Sequence, residues 1–483
     1  MTNFDSIFTT SQQAYLQYKQ LDFQKRADFL ASTAKGLEAR KAEVIAIACQ
    51  ESNLPEGRIT GELGRTVGQI RLFAKLLLEG SWVEAVIDTA DPERSPVPKP
   101  DIRRMLTPLG PVVVFGASNF PLAFSTAGGD TISALAAGCS VIYKGHPAHP
   151  QTSLLVAAII QEAIQVSGMP EGVFIHVEGG VAAGQALVSH PIAKAVAFTG
   201  SLAGGKAIFD AAQQREEPIP VFAEMGSVNP IFVLEEKLQQ ESATLAKQFA
   251  ASLTLGAGQF CTNPGLIFVP ARHAASFGES IKQELDSVIP AAMLHEGIAS
   301  AYYASLSQLS KKEELQWLQV ATQQDMIKAY PALAQVQVED WLKDDLFQQE
   351  VFGCFAMMVV YESVEDLVAV ANHLHGQLTI SIWAEGEELS LHQSIIQLLS
   401  EKCGRLLFKG VPTGVEVGYA MQHGGPFPAT TDSRSTSVGA YAIKRFARPI
   451  AYQDMPSELL PLALRNDNPM GIWRMVDGVF EKC

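Results

Sequence analysis

Apolar residues recur at helical spacing from Ser11 to about Trp82, as in Tyr15, Leu16, Phe23, Phe29 and Leu30 and again in Val44, Ile45, Ile47 and Ala48, which predicts an N-terminal helical region. Between Asp88 and Pro108 that rhythm stops. The stretch DTADPERSPVPKPDIRRMLTP is rich in proline and charge, and proline cannot continue a helix, so it reads as an extended arm or edge hairpin able to pack on another subunit. Short β-type runs then alternate with helical stretches. The runs are PVVVFG from Pro111, SVIYK from Ser140, VFIHV from Val173 and AVAFTG from Ala195, with helices expected around Gly128 to Gly138, Gln151 to Ser167 and Val181 to Ser189. A second such segment starts near Gly226 with NPIFVL, a helix from about Gln239 to Leu255 and GLIFVP from Gly265, and continues to about Leu407. This alternation predicts an α/β protein with parallel sheets, whose ligands bind at the carboxyl ends of the strands. The tail from Arg445 is apolar and punctuated by proline, so it is expected to pack rather than to be disordered.

Composition narrows the partners. With 483 residues, 47% of them hydrophobic, the chain can build several buried cores, and its net charge of -15 disfavours nucleic acid or an anionic membrane as partner. The N-terminus has neither a basic start nor an apolar core, and no apolar run approaches a bilayer span, so a soluble, cytoplasmic protein is expected. The cysteines (Cys49, Cys139, Cys261, Cys354, Cys403 and Cys483) are scattered without a CxxC pair, so thiols are expected, with no metal site and no disulfide framework.

No G-x-G-x-x-G follows a strand, which removes the usual dinucleotide fingerprint. GSLAGGKA, Gly200 to Ala207, resembles a phosphate loop but ends in Ala207, where a nucleotide hydrolase needs a hydroxyl for magnesium. What remains is a glycine turn at a helix N-terminus, suited to a pyrophosphate or simply to a tight turn. Cys261 lies in the glycine-rich GAGQFCTNPG after a helix end, so that helix's dipole does not activate it, and a base or a positive field must. Glu224, in the apolar run VFAEMGSVNPIFV, is expected to be desolvated with a raised pKa, as a general base working near neutral pH requires. Asn119 follows a strand, and its amide can donate to an oxyanion or merely fill a turn.

Taken in order, SNFPLAF at Ser118, FTGS at Phe198, AEMGSVNP at Ala223, GQFCTNPG at Gly258 and EVFG at Glu350 resemble the aldehyde dehydrogenase superfamily over nearly the whole chain. HPAHPQTS from His146, the stretch from Pro412 and the tail are similar to the branch that contains alpha-ketoglutaric semialdehyde (2,5-dioxovalerate) dehydrogenases and an NADP-dependent fatty aldehyde dehydrogenase. The resemblance implies the aldehyde dehydrogenase fold. Its Rossmann-like cofactor domain spans 109–225, with a helical N-terminal portion over 1–87. An oligomerisation arm (88–108), an α/β catalytic domain (226–421) and a C-terminal return and tail (422–483) complete the chain, assembled as a homodimer or homotetramer. The resemblance also implies roles. Cys261 attacks the aldehyde, Asn119 holds the oxyanion, Glu224 activates the hydrolytic water and His423 lies close to the thiol. Lys144 contacts the adenosine ribose, Gly200 and Ser201 form the cofactor turn, Glu350 binds the nicotinamide-side ribose, Phe352 packs near it and Phe120 lies in the substrate site. Pro147 stands where NAD-preferring members carry glutamate; the missing carboxylate leaves room for a 2′-phosphate, which favours NADP over NAD.

The implied reaction is oxidation of a small semialdehyde to a carboxylate, alpha-ketoglutaric semialdehyde to 2-oxoglutarate, with Arg434 in TTDSRSTS as candidate anchor for the distal carboxylate. A fatty aldehyde is the alternative substrate. A coenzyme A-acylating enzyme conflicts with a water-activating Glu224, a cysteine hydrolase built on Cys261 and His423 would need no nicotinamide, and a non-catalytic scaffold would not need Asn119, Glu224 and Cys261 together.

Overall fold

A computed structural model describes residues 3–322 and 324–482, so Cys483 lies outside the described residues. The helical start begins earlier than the hydrophobic rhythm suggests, because Asn3 caps a helix at Phe4–Tyr18 by accepting from the Ser6 N–H. Helices Phe23–Ala39, Lys41–Ser52 and Glu56–Glu79 follow, and their apolar faces join one core with the first sheet.

That sheet is fully parallel, in the spatial order Phe174–Val177, Val141–Lys144, Val112–Phe115, Ala195–Thr199, Val221–Glu224. The chain starts in the middle, winds to one edge and returns to the other side. Strands Val112–Phe115 and Ala195–Thr199 are therefore neighbours whose following loops diverge, which is where an α/β sheet opens a crevice. Segment 118–119 leaves the first and Gly200 the second. Helices Gly129–Ala137, Pro150–Val166 and Val181–Ser189 lie within a residue or so of their expected positions.

The second sheet has seven strands, in the order Gln316–Gln319, Ala332–Gln337, Phe355–Tyr361, Leu266–Pro270, Ile231–Val233, Gln377–Trp383, Cys403–Leu407, all parallel except the first. Helix Glu235–Thr254 is kinked at Glu241 and starts four residues before the expected Gln239, because Leu238 is buried and belongs to its apolar face.

The proline-rich stretch forms a hairpin-like arm, strands Val86–Asp88 and Ile102–Pro108. Its partner is the tail. Ala447–Gln453 pairs along the whole of Ile102–Pro108, and Arg474–Val476 with Val479–Glu481 extends the sheet past Val86–Asp88. Buried Arg445, paired with Asp130 at 2.6 Å, pins the start of the tail to helix Gly129–Ala137. Among the described residues no helix is long and apolar enough to cross a membrane.

Candidate active site

The loops after the first sheet's switch point and the Cys261 loop of the second sheet close on one cavity of about 310 Å3. Asn119, Gly200, Ser201, Glu224, Cys261, Glu350 and Phe352 all line it, residues up to 233 positions apart (352 − 119) that the sequence placed at one site. Ser118, Thr199, Met225, Ile298 and Tyr302 also belong to the wall, and of these only Tyr302 and Ile298 come from outside the motifs.

Strand Val221–Glu224 delivers Glu224 at its last residue, and the segment after Pro428 locks it. Thr431 N–H donates to Ala223 O at 3.1 Å and Met225 N–H to Ala429 O at 2.8 Å. The stretch just before Pro428 brings His423, whose Nε2 stands 3.1 Å from Glu224 Oε1 and 3.5 Å from Cys261 Sγ. The His423–Glu224 contact is an ion-pair distance without hydrogen-bond alignment, since Oε1 has no hydrogen-bond partner. Ser437 Oγ donates to Glu224 Oε2.

These partners overturn the raised pKa expected for Glu224. Burial alone pushes the carboxyl up, but His423, Ser437 and the Cys261 thiol together hold it below its ordinary value. These contacts favour the charged carboxylate in spite of its burial. The thiol carries the opposite consequence: burial and then the Glu224 anion push Cys261 well above the ordinary thiol range, with the Arg65 guanidinium opposing. The other thiols Cys139, Cys354 and Cys403 rise through burial to about 11, 12 and 12. Cys261 is thus distinguished by its neighbours rather than by a low resting pKa.

The loop that carries Cys261 is fixed from beneath by Asn229. Its fully buried amide donates to Ser227 O, Cys261 O and Asn263 O at 3.1, 2.9 and 2.9 Å, and its Oδ1 accepts from Ser227 and Thr379. Asn119 donates to Gln259 O at 3.2 Å, which uses one amide hydrogen and leaves the other toward the cavity.

The cofactor side fits a dinucleotide. Ser201 caps helix Leu202–Gln213 by accepting from the Gly204 N–H, which sets the start of that helix beside the cavity that Gly200 and Ser201 line, and the buried Thr199 Oγ1 has no partner. Burial pushes Glu350 up to about 8, eased by a Ser227 N–H, and its Oε2 lies so close over Gly226 that a Cβ there would stand 2.6 Å away. Lys144, half-buried at its strand end, has no ion pair among the described residues, and burial lowers its pKa.

Phe120 belongs to a separate aromatic group, 5.2 Å from Phe124 and 5.4 Å from Phe260, the residue before Cys261. Arg434 is not brought to the site. Its side chain is 89% exposed and pairs with Asp432 at 2.8 Å, because the turn places a carboxylate two residues away. The sequence offered no reason to pick Asn229, Ser437 or Arg65.

Known proteins share both the sequence and the fold. The aldehyde dehydrogenase family profile matches residues 1–395. The chain is 44% identical over 98% of its length to an alpha-ketoglutaric semialdehyde dehydrogenase of Acinetobacter baylyi, covering 91% of that protein. It is 46% identical over 94% of its length to alpha-ketoglutaric semialdehyde dehydrogenase 2 of Azospirillum brasilense, covering 89% of it. Among solved structures, glyceraldehyde-3-phosphate dehydrogenase of Methanocaldococcus jannaschii complexed with NADP superposes with a TM-score of 0.78 at 19% identity, covering 93% of each chain.

Proposed function

The chain belongs to the aldehyde dehydrogenase family and is an NAD(P)-dependent aldehyde-oxidising enzyme, and on that premise we propose that it converts alpha-ketoglutaric semialdehyde to 2-oxoglutarate through a thioester on Cys261. The observation that carries the chemistry is the meeting of His423 Nε2 with Cys261 Sγ and the Glu224 carboxylate, the latter two lining one cavity. The substrate is taken from the two relatives.

The Cys261 proton passes to the adjacent base, Glu224 or His423, and the thiolate adds to the aldehyde carbon. The carbonyl π pair moves onto oxygen, where the free Asn119 amide hydrogen stabilises it. Gly200, Ser201, Lys144, Glu350 and Phe352 would hold a nicotinamide dinucleotide, which would supply the acceptor for the hydride. Cys261 then carries a thioester. Once the proton taken from Cys261 has been released to solvent, Glu224 takes one from a water whose oxygen attacks the thioester carbon; the thiolate leaves and the acid is freed. NADP is the favoured cofactor, since Lys144 faces no ion-paired carboxylate and Pro147 is exposed beside it.

The enzyme works as a homodimer or homotetramer joined through the arm and tail, where Leu459, Trp473, Val479 and Phe480 expose 63, 48, 64 and 67% of their surface. A panel of aldehydes run with NAD and NADP tests the reading. The semialdehyde with NADP is expected to give the highest kcat/KM; a higher value for a long-chain alkyl aldehyde would reassign the substrate.

A further inference from the structure

Helix Glu56–Glu79 carries Arg58, Glu62, Arg65 and Gln69 at steps of four, three and four, which puts them on one face. Arg58 and Glu62 are occupied by the fold. Buried Glu62 accepts the N–H groups of Leu122 and Ala123 at 2.9 Å each and pairs with Arg58 at 2.7 Å, while Arg58 lies 4.5 Å over the Phe120 ring and 5.1 Å over that of Phe260.

Arg65 has no such partner. Its Nε and Nη2 are buried, and neither a hydrogen bond nor an ion pair reaches its guanidinium among the described residues. The Phe124 ring lies 5.3 Å away, and Cys261, Glu62 and Glu224 are near enough for their charges to act on the guanidinium. Phe124 in turn lies 6.5 Å from the His423 ring, and His423 touches Cys261 Sγ at 3.5 Å. Gln69, one turn further on and 5% exposed, also leaves its Nε2 without a partner. On the other side Arg65 and Gln69 line an open cavity of about 580 Å3 with Arg71, Lys75, Val415 and Val417. Glu416, the one carboxylate in that lining, accepts from the Val417 N–H and makes no ion pair with Arg65. A guanidinium stripped of water and left unpaired is costly, and a planar fork of donors matches a carboxylate.

We propose that Arg65, supported by Gln69, is the subsite for the distal carboxylate of a dicarboxylic semialdehyde that enters between Arg71, Lys75, Val415 and Val417 and presents its aldehyde end to Cys261. This rests on the substrate reading above and replaces Arg434 in the anchoring role. The positive mouth gathers the anion, and the Phe120, Phe124 and Phe260 rings pack its apolar carbons.

The test compares alpha-ketoglutaric semialdehyde with pentanal, an uncharged aldehyde of equal chain length, at saturating cofactor. Any effect of Arg65 on Cys261 reactivity is common to both aldehydes and cancels in the ratio of their kcat/KM values. Arg65→Met should lower that ratio by about 100-fold, chiefly through KM of the semialdehyde, and Arg65→Lys should recover about tenfold of it. Equal losses for both aldehydes overturn the proposal. A wild-type enzyme that prefers pentanal sinks the substrate reading and this inference together, whereas a semialdehyde preference left intact in Arg65→Met sinks this inference alone. A second readout needs no turnover and no large truncation: glutarate should slow alkylation of Cys261 by iodoacetamide, with about tenfold more needed in Arg65→Lys. No protection, or equal protection of both proteins, contradicts the proposal.

Discussion

Glu224 and Cys261 set each other's charge, and that coupling gives the residue-scale predictions. The Glu224 carboxylate raises the thiol, so Glu224→Gln should move the pH dependence of Cys261 alkylation to lower pH while abolishing steady-state turnover. Alkylation measured across pH checks the sign; a shift to higher pH contradicts it. Glu350 makes a second case. Its folded value of about 8 lies above the ordinary 4.5. Below pH 4.5 both folded and unfolded states hold the proton and nothing is contributed. As pH rises from 4.5 to 8 the unfolded state releases the proton first, so the native state loses stability progressively, fully so above 8. Glu350→Gln is expected to raise the melting temperature of the cofactor-free protein by an amount that grows over that window. A gain independent of pH would contradict the burial argument. The sequence revealed that Glu224 lies in an apolar run. It could not reveal the pKa direction, because the compensating groups, His423 and Ser437, are some two hundred residues away in the chain.

At the scale of elements, local signals carried far. Strands Val112–Phe115 and Val141–Lys144 are continuous apolar runs because both faces are covered, and they were legible for that reason. The amphipathic helix Glu56–Glu79 was legible as a helix, but the polar stripe of Glu62, Arg65 and Gln69 was not legible as a site, since a polar stripe ordinarily marks the solvent side. Asn229 escaped notice because its value lies entirely in tertiary contacts. With φ of 46° and a fully buried amide serving three carbonyls, it ties strand Ile231–Val233 to the Cys261 loop. Asn229→Ala should cost about 2 kcal/mol of stability by orphaning those carbonyls, and should lower kcat more than it alters KM. Thermal unfolding and steady-state kinetics check both effects; an unchanged melting temperature would show that the loop holds itself.

For the whole molecule, the arm and the tail were readable as packing segments but not as one sheet. Their pairing joins residues more than 300 positions apart, and no periodicity encodes such a register. The exposed edge Val479–Glu481, with Val479 and Phe480 outward, predicts that Phe480→Glu shifts the assembly toward smaller species in size-exclusion chromatography with light scattering. An unchanged mass would remove this edge from the interface. The proposed reaction turns on Cys261 forming a thioester that Glu224 hydrolyses. The most direct measurement of that step is peptide mass spectrometry of Glu224→Gln, quenched after mixing with alpha-ketoglutaric semialdehyde and NADP. The expected result is an acyl adduct on the Cys261 peptide that requires the cofactor, with one equivalent of reduced cofactor and no further turnover. An unmodified Cys261, an adduct on another cysteine or continued turnover would contradict it.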